Sequence, residues 1–321
     1  MTLLAWLVRL TMRASSDIAT FCVAAILMSS CAASPEIPPW FDALQRFPVK
    51  TVSVNGHRIA YLDEGHGPPL ILIHGYGGSM WQWEYQQHPL AAHFRVITPD
   101  LIGSGLSDKP DLDYRPEDLI ESVRGLMDAL DLSTATLIGN SMGGGVAIGM
   151  VLTHPQRVDR LVLIDGLPDH VRERLGSPLM QRAVNTRVPA WLARLGNWLF
   201  PGTGTEAVLK EIVFDHALLT PAVLDRSNRN RRHPGLIAPL LSIRDSLPLW
   251  EQQFGARLNE IRHATLILWG EQDRLFPPQV GRDLQAAIPH ARLIVIPQSG
   301  HIPQWEQPQA VNRHLLEFLQ P

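Results

Sequence analysis

Cysteine is scarce in this chain of 321 residues, which contains only Cys22 and Cys31. Both lie near the N-terminus, ahead of the part expected to fold, so no internal disulfide is expected in that part. Cys/His spacings typical of a zinc site are also absent, and the 13 histidines are scattered along the sequence. The sequence therefore predicts a fold that depends on its apolar core, with no metal and no cofactor.

An excess of basic residues is also missing. The chain has 28 Lys and Arg against 31 Asp and Glu, which gives a formal net charge of -3. Proteins that bind nucleic acid usually carry a basic excess, so no nucleic-acid partner is expected. One local cluster is basic, comprising Arg226, Arg229, Arg231 and Arg232. We interpret it as a solvated helix face or loop, with contact to an anionic membrane surface or substrate as the alternative.

A targeting segment is expected at the N-terminus. Residues 18–28 form a short apolar run that follows two arginines and precedes several small residues, which is the pattern of a secretory signal. A membrane-spanning helix needs about 20 apolar residues, more than this run supplies. The residues before Cys31 resemble a bacterial lipobox, which implies cleavage before Cys31 and acylation of its thiol. Ordinary cleavage after Ala33 is the alternative.

We therefore expect residues 1–33 to be a targeting segment, and the rest of the chain to work outside the cytoplasm. An acylated Cys31 would make the protein a periplasmic or outer-membrane-attached lipoprotein, associated with the membrane through its N-terminal lipid anchor. Cleavage after Ala33 would instead give a secreted protein.

Short β-rich runs alternate with helical stretches along the remaining sequence. The predicted strands are Thr51–Val54, His57–Asp63, Leu70–Ile73, Phe94–Thr98, Ala135–Ile138, Arg160–Ile164, Ala264–Leu268 and Arg292–Ile296. The predicted helices are Glu117–Leu130, Ser141–Leu152, Pro278–Ile288 and Pro308–Leu319. This alternation predicts an α/β fold with a mostly parallel sheet that helices cover on both faces.

One interval interrupts the alternation. From about Leu167 to Trp250 no strand-like run occurs, and the segment is rich in Leu, Arg, Trp and Pro. We predict that residues 167–250 are helices inserted between the sixth and seventh strands. The α/β core would then comprise residues 40–166 and 251–321.

The sequence Gly139-Asn-Ser141-Met-Gly143 directly follows a predicted strand and precedes a predicted helix. This is the G-x-S-x-G pattern in the strand–turn–helix context in which the serine is a nucleophile. The serine lies on a tight turn, so its neighbours must be small, and Gly139 and Gly143 meet that need. We predict that Ser141 is a catalytic nucleophile.

A serine hydroxyl needs a base, and the base needs a carboxylate to orient it. His301 follows the last predicted strand and is the predicted base. Asp273 follows the strand before it and is the predicted acid, in the chain order Ser, Asp, His. Glu271 and Asp165 are the competing carboxylates, and we expect Asp165 to bind loop backbone instead.

Two backbone N–H groups should stabilise the oxyanion that forms during attack. The first is that of Met142, the residue after the nucleophile. The second is that of Tyr76, in the glycine-rich loop that follows the third strand, with Gly77 as the alternative. The Tyr76 side chain would line the entrance of the site, and His74 is expected to brace this loop.

These motifs together resemble those of the α/β-hydrolase superfamily over residues 48–321. The resemblance implies an α/β-hydrolase fold with an eight-stranded sheet, in which the insertion is a helical cap over the active site. In this cap, Trp191, Trp198, Leu199 and Phe200 would either pack the cap or roof an apolar pocket, and packing is the preferred role for any single one of them. The pocket candidates are Gly75, Gly77, Trp191, Trp198 and Phe276.

Members of the superfamily that use an aspartate nucleophile, such as haloalkane dehalogenases and epoxide hydrolases, are disfavoured by Ser141. The region around Ser141 is similar to that of lipases and carboxylesterases, and also to that of hydrolases that cleave carbon–carbon bonds in ring-fission products. An exported protein favours the first group, so we expect an esterase or lipase that acts on small apolar esters through an acyl-enzyme. The alternatives are a carbon–carbon hydrolase or an acyltransferase on the same triad, or a non-catalytic binding protein.

Overall fold

Eight short strands form the centre of the fold. They are Lys50–Val54 (β1), His57–Glu64 (β2), Pro69–Ile73 (β3), Arg95–Pro99 (β4), Ala135–Asn140 (β5), Val158–Ile164 (β6), Thr265–Gly270 (β7) and Arg292–Ile296 (β8). They form one sheet in the order β1-β2-β4-β3-β5-β6-β7-β8. Strand β2 is antiparallel to both of its neighbours, and the other pairs are parallel. The predicted mostly parallel, eight-stranded sheet is confirmed.

The computed structural model describes residues 47–167, 170–200 and 204–320. The predicted targeting segment, residues 1–33 with Cys31, lies outside this part of the chain. Within the part that is described, no helix is both long enough and apolar enough to cross a membrane.

Helices flank the sheet and fill the insertion. They are Gln87–Ala91 (α1), Pro116–Ala129 (α2), Met142–Thr153 (α3), Val171–Arg174 (α4), Pro178–Asn185 (α5), Ala190–Leu199 (α6), Thr205–Ile212 (α7), Pro221–Arg231 (α8), Ile237–Asp245 (α9), Leu247–Phe254 (α10), Pro278–Ala287 (α11), Pro303–Glu306 (α12) and Pro308–Leu319 (α13). Short 3₁₀ turns lie between them. Several helices begin with proline, whose fixed φ suits the first helical turn.

The central strands are mostly apolar and buried because both faces of the sheet are covered. Successive residues of a strand point to opposite faces. On β3, Leu70 and Leu72 accordingly pack in one core cluster, and Ile71 and Ile73 in another. Helix α3 is buried on nearly all sides against the sheet, and this fixes the position of the residue at its N-terminus.

Among its described residues, the insertion between β6 and β7 consists of helices joined by short connections and contains no strand. Helices α4 to α9 lie within the predicted limits of the cap. Helix α10 runs across the predicted limit at residue 250, and its Trp250 and Phe254 pack in the main core cluster. The carboxyl ends of the parallel strands and the cap together enclose the candidate site.

Candidate active site

Ser141 lies on the tight turn between β5 and α3. Its backbone has φ 53° and ψ -120°, a conformation that residues with a side chain rarely adopt. A Cβ on Gly139 would overlap the carbonyl of Gly143, and one on Gly143 would overlap the carbonyl of Ile73. The turn can therefore form only with glycine at these two positions, and it presents the serine hydroxyl at the carboxyl edge of the sheet.

His301 and Asp273 lie at the same edge. Nδ1 of His301 is 2.8 Å from Oδ2 of Asp273, and both side chains are buried. Oδ1 of Asp273 accepts hydrogen bonds from the backbone N–H groups of Leu275 and Phe276, at 2.7 and 3.0 Å. The Phe276 ring stands edge-on to the imidazole, with centroids 5.5 Å apart. The carboxylate is thus fixed by backbone, and it in turn fixes the orientation of the imidazole.

The free nitrogen of His301 faces the same cavity as Ser141. His301 Nε2 is buried and has no hydrogen-bond partner among the described residues. No hydrogen bond joins it to Ser141 Oγ in this ligand-free structure, and such bonds often tighten only when substrate binds. Ser141 and His301 both line one cavity. The three predicted triad residues are therefore brought together at one site.

Of the competing carboxylates, neither contacts His301 through a hydrogen bond in the described structure. Glu271 is exposed. Asp165 is fully buried and accepts a hydrogen bond from the N–H of Gly270 at 2.9 Å, which agrees with its expected role in binding loop backbone. Burial first, and the nearby Asp273 second, raise the pKa of Asp165 well above its ordinary value. Asp165 is thereby shifted toward its neutral form.

The predicted oxyanion donors are available. In the part of the chain that is described, neither the N–H of Tyr76 nor that of Met142 donates a hydrogen bond to another residue. The glycine-rich loop is held by Gln82, whose Oε1 accepts from the N–H of Gly75 at 2.9 Å. The Tyr76 side chain is exposed at the cavity, and its hydroxyl donates to the carbonyl of Leu240 in the cap at 2.8 Å.

His74 holds the glycine-rich loop that contains Gly75 and Tyr76. Its Nδ1 lies 2.8 Å from the carbonyl of Gly75, and its Nε2 accepts a hydrogen bond from the N–H of Leu101 at 3.0 Å. These two contacts require the neutral tautomer with the proton on Nδ1. Burial lowers the pKa of His74, which favours that neutral form.

Glu306 connects the loop that carries His301 to the cap. Its Oε1 accepts from the N–H of Gly300 at 2.7 Å, and its Oε2 accepts from the N–H of Phe214 at the same distance. The N–H of His301 donates to the carbonyl of Ile212 at 2.7 Å. The position of the histidine is thus coupled to the segment of the cap that follows α7.

A cavity of about 240 Å³ lies between the cap and the carboxyl edge of the sheet. Its wall is mostly apolar, and the apolar residues are Trp81, Met180, Ala183, Val208, Leu209, Ile212, Leu240, Leu275 and Ile302. Gly75 and Gly77, two of the predicted pocket residues, line it as well.

The remaining pocket candidates lie elsewhere. Trp191 is a correction, because its side chain is exposed on the outer surface of the cap and does not line the cavity. The side chain of Trp198 lies outside the part of the structure that is described. Phe276 packs against His301 behind the cavity and is not part of its wall.

Three polar residues that the sequence analysis did not assign to the pocket line its cap side. Ser227, Asn230 and Arg231 share one face of helix α8, at the spacing i, i+3, i+4. Oγ of Ser227 and Oδ1 of Asn230 are buried with no hydrogen-bond partner among the described residues. Nδ2 of Asn230 donates to the carbonyl of Gly77 at 3.3 Å.

Arg231 has no ion pair or hydrogen bond with any residue that the structure describes. Burial lowers the pKa of its guanidinium, the direction expected for a desolvated cation that no carboxylate compensates. The cavity therefore has a mostly apolar wall that also includes Ser141 and, from the cap, the Arg231 cation, with no carboxylate among the described residues that line it.

The other arginines of the basic cluster have different surroundings. Arg226 forms a two-pronged ion pair with the buried Glu84, at 2.9 and 3.0 Å, and stacks over the ring of Trp81. Arg229 pairs with Asp225 on the exposed side of the helix at 2.8 Å. The basic cluster is therefore not one solvated face. Its Arg226 links the cap to the core through the ion pair with Glu84.

Two groups of potential metal ligands occur among the described residues. Asp165, Asp273 and His301 form the first, and their contacts are the hydrogen bonds given above. The second, His170, Glu173 and Glu251, is largely exposed. Both groups offer only histidine and carboxylate ligands, and Oδ2 of Asp165 is their only buried oxygen without a hydrogen-bond partner among the described residues. We therefore assign no metal to either group.

Comparisons with known proteins agree with this geometry. A sequence model of the alpha/beta hydrolase fold matches residues 68–308. The chain is 32% identical over 274 residues to a 2-hydroxy-6-oxo-6-phenylhexa-2,4-dienoate hydrolase from Burkholderia cepacia, an alignment that covers 83% of this chain and 92% of that one.

Two solved structures are similar in fold and at 26% identity. The first is a meta-cleavage product hydrolase from Pseudomonas fluorescens IP01, with a TM-score of 0.74, covering 85% of this chain and 98% of that one. The second is an enol-lactonase from Burkholderia xenovorans LB400, with a TM-score of 0.73, covering 85% of this chain and all of the other.

Proposed function

Because the chain belongs to the alpha/beta hydrolase fold family, we propose that it is a serine hydrolase that breaks a carbon–carbon bond beside a ketone in a carboxylate-bearing substrate. The expectation of an ester substrate depended on export of the protein, on which the described residues carry no information. The similarity to a dienoate hydrolase and to a meta-cleavage product hydrolase instead favours the carbon–carbon reaction, which was the alternative.

The observation that carries this function is the uncompensated Arg231 on the wall of the cavity. The Arg231 side chain is half-buried and its charge is partly desolvated, and no carboxylate among the described residues offsets that charge. A ligand carboxylate would supply the missing partner. An apolar acyl ester would leave the guanidinium unpaired. A carboxylate would pair with it through two charge-assisted hydrogen bonds, and the Ser227 hydroxyl beside it would supply another donor.

The reaction begins with attack of Ser141 Oγ on the ketone carbon, while His301 Nε2 takes the hydroxyl proton. The oxyanion that forms is held by the N–H groups of Tyr76 and Met142. Asp273 keeps the imidazole in place and stabilises its charged form.

The tetrahedral species then collapses, and the bond from the former ketone carbon to the next carbon breaks. The electron pair of that bond passes to the departing fragment, which takes the proton from the His301 imidazolium. The acyl group remains on Ser141, and His301 then activates a water molecule that releases it as a carboxylic acid. The sum is addition of one water across one carbon–carbon bond.

A departing carbon is a poorer leaving group than an alkoxide, so its charge must be spread. An enol acid meets this need when its enol first becomes the ketone and the proton moves to the carbon that will leave, which makes that carbon saturated. The electron pair of the broken bond then passes along the conjugated chain to the ketone oxygen beside the carboxylate, and the Arg231 cation on the cap wall would stabilise the charge there. The apolar wall on the other side of Ser141 would hold the acyl part of the substrate.

Hydrolysis of a lactone or ester that carries a carboxylate is the second candidate. The similarity to an enol-lactonase favours it, and the same attack and acyl-enzyme would serve. Both candidate reactions use a substrate carboxylate that pairs with Arg231. They differ in the leaving atom, which is oxygen in this reaction and carbon in the first.

A comparison of substrates tests the proposal. The purified full chain would be assayed with 2-hydroxy-6-oxo-6-phenylhexa-2,4-dienoate, with an enol-lactone acid, and with p-nitrophenyl esters from acetate to palmitate. We expect kcat/KM to be highest for the dienoate, and about 10- to 100-fold lower for substrates without a carboxylate, since a charged hydrogen bond contributes about 1.5–3 kcal/mol. A preference for long-chain p-nitrophenyl esters would restore the lipase interpretation and contradict this one.

A further inference from the structure

Helix α6 of the cap, Ala190–Leu199, has its large apolar side chains on the outside. Trp191 is 66% exposed, and Phe200, directly after the helix, is 64% exposed. Leu192, Leu195 and Leu199 are also exposed. The four helical residues fall within one stripe about 100° wide, whereas a surface helix usually turns such a stripe toward the core. We call these five residues the α6 face.

The chain around this helix is basic. From Leu175 to Thr205 the sequence contains no Asp, Glu or Lys, but it contains Arg182, Arg187 and Arg194. All three arginines are exposed, and none forms an ion pair with a residue that the structure describes. This positive segment belongs to a chain whose overall formal charge is -3.

The partner of the α6 face is identified by this combination of charge and apolar surface. A second copy of the chain, docked face to face about a twofold axis, would bring the two sets of arginines together without compensating acids. An anionic lipid surface compensates the arginines and accepts the tryptophan, phenylalanine and leucine side chains at the level of its headgroups.

We propose that the α6 face binds the surface of anionic lipid membranes. The helix lies in the plane of the interface, with Trp191, Leu195 and Phe200 among the headgroups and the three arginines near the lipid phosphates. This binding requires no transmembrane segment and is independent of the reaction that the protein catalyses.

The lipid surface would lie close to the roof of the cavity. Helix α5 precedes α6 by a short connection, and its Met180 and Ala183 line the cavity. Carboxylate-bearing substrates whose acyl part partitions into the membrane would therefore meet the cap on the side from which part of the pocket wall is built.

The test places a reporter on the α6 face of the full chain. Cys22 and Cys31 are replaced by serine, and an environment-sensitive fluorophore is attached through Leu195→Cys. Tyr85→Cys is the matched control, because Tyr85 is also an exposed aromatic residue but lies on the core. Because the reporter senses only its own surroundings, any membrane binding by the N-terminal residues does not produce the signal.

We expect the emission at position 195 to shift to the blue with phosphatidylglycerol vesicles, but not with phosphatidylcholine vesicles, and the control at position 85 to stay unchanged with both. The Arg182→Gln/Arg187→Gln/Arg194→Gln variant should bind about a hundredfold more weakly, from about fivefold for each arginine near an anionic surface.

Three outcomes would overturn the proposal. The first is no shift at position 195 with anionic vesicles. The second is an equal shift at both positions, which would indicate that the face makes no specific contact. The third is a shift without vesicles that grows with protein concentration, which would assign the α6 face to a second copy of the chain.

Discussion

Replacement of Arg231 should weaken binding of a carboxylate substrate without lowering the stability of the fold. Arg231→Gln keeps a polar side chain on the cavity wall and removes the charge. For a carboxylate substrate, the variant loses a charge-assisted pair, and one to two such hydrogen bonds are worth about 2–3 kcal/mol. This corresponds to a fall in kcat/KM of about 30- to 150-fold, since each 1.36 kcal/mol is about tenfold.

The structure predicts the opposite effect on stability. In the free protein Arg231 has no ion pair with a described residue, and burial partly desolvates its charge. The free energy of unfolding of Arg231→Gln should therefore equal that of the wild type or exceed it by about 1 kcal/mol. The assays are steady-state kinetics with the dienoate and with p-nitrophenyl acetate, and urea unfolding without ligand.

Arg229→Gln is the matched control, because Arg229 lies on the same helix but pairs with Asp225 in solvent. We expect it to change kcat/KM by less than about twofold, and stability by less than about 0.5 kcal/mol. For Arg231→Gln, hydrolysis of p-nitrophenyl acetate should also stay within about threefold of the wild type, since that ester has no carboxylate. Equal loss on both substrates, or no loss on the dienoate, would refute the assigned role of Arg231.

Three further predictions concern the residues around the nucleophile. Asp273→Asn should lower kcat by about 10³–10⁴-fold with KM little changed, because the imidazole loses the carboxylate that orients it; an active variant in steady-state kinetics would remove Asp273 from the triad. The raised pKa of Asp165 means that its contribution to stability is full below its unfolded pKa and is lost as pH rises through its folded pKa. In Asp165→Asn the free energy of unfolding should therefore fall less than in the wild type as pH rises above the ordinary carboxyl pKa of 3.8. The same pH dependence of urea unfolding in both proteins would contradict this. Gly143→Ala should destabilise the protein by about 2 kcal/mol or more, because its Cβ would overlap the carbonyl of Ile73; an unchanged melting temperature would show that the turn adapts.

The sheet and the residues at its carboxyl edge could be predicted from sequence because they depend on local patterns. Buried parallel strands are continuous apolar runs, and residues that follow such runs share one edge of the sheet. Ser141, Asp273 and His301 each follow a strand, so their proximity follows from topology alone. The contacts of Glu306 with the cap could not be predicted, because they depend on a loop that only the folded chain defines.

The cap shows where sequence reasoning is insufficient. The aromatic Trp191 suggested a pocket lining, whereas tertiary packing turns its helix outward. The basic run in α8 suggested one solvated face, whereas the helix distributes Arg226, Arg229 and Arg231 among an ion pair with the core, the solvent and the cavity. The i, i+3, i+4 spacing of Ser227, Asn230 and Arg231 was present in the sequence, but which face points inward depends on how the cap packs on the core.

The most direct test of the account is analysis of the products formed from 2-hydroxy-6-oxo-6-phenylhexa-2,4-dienoate by the full chain and by its Ser141→Ala variant. We expect equal amounts of benzoate and a five-carbon dienoate from the wild type, and neither product from the variant. Turnover that persists in Ser141→Ala would contradict the assigned nucleophile. A wild-type protein that labels with a fluorophosphonate at Ser141 but forms no benzoate would contradict carbon–carbon cleavage.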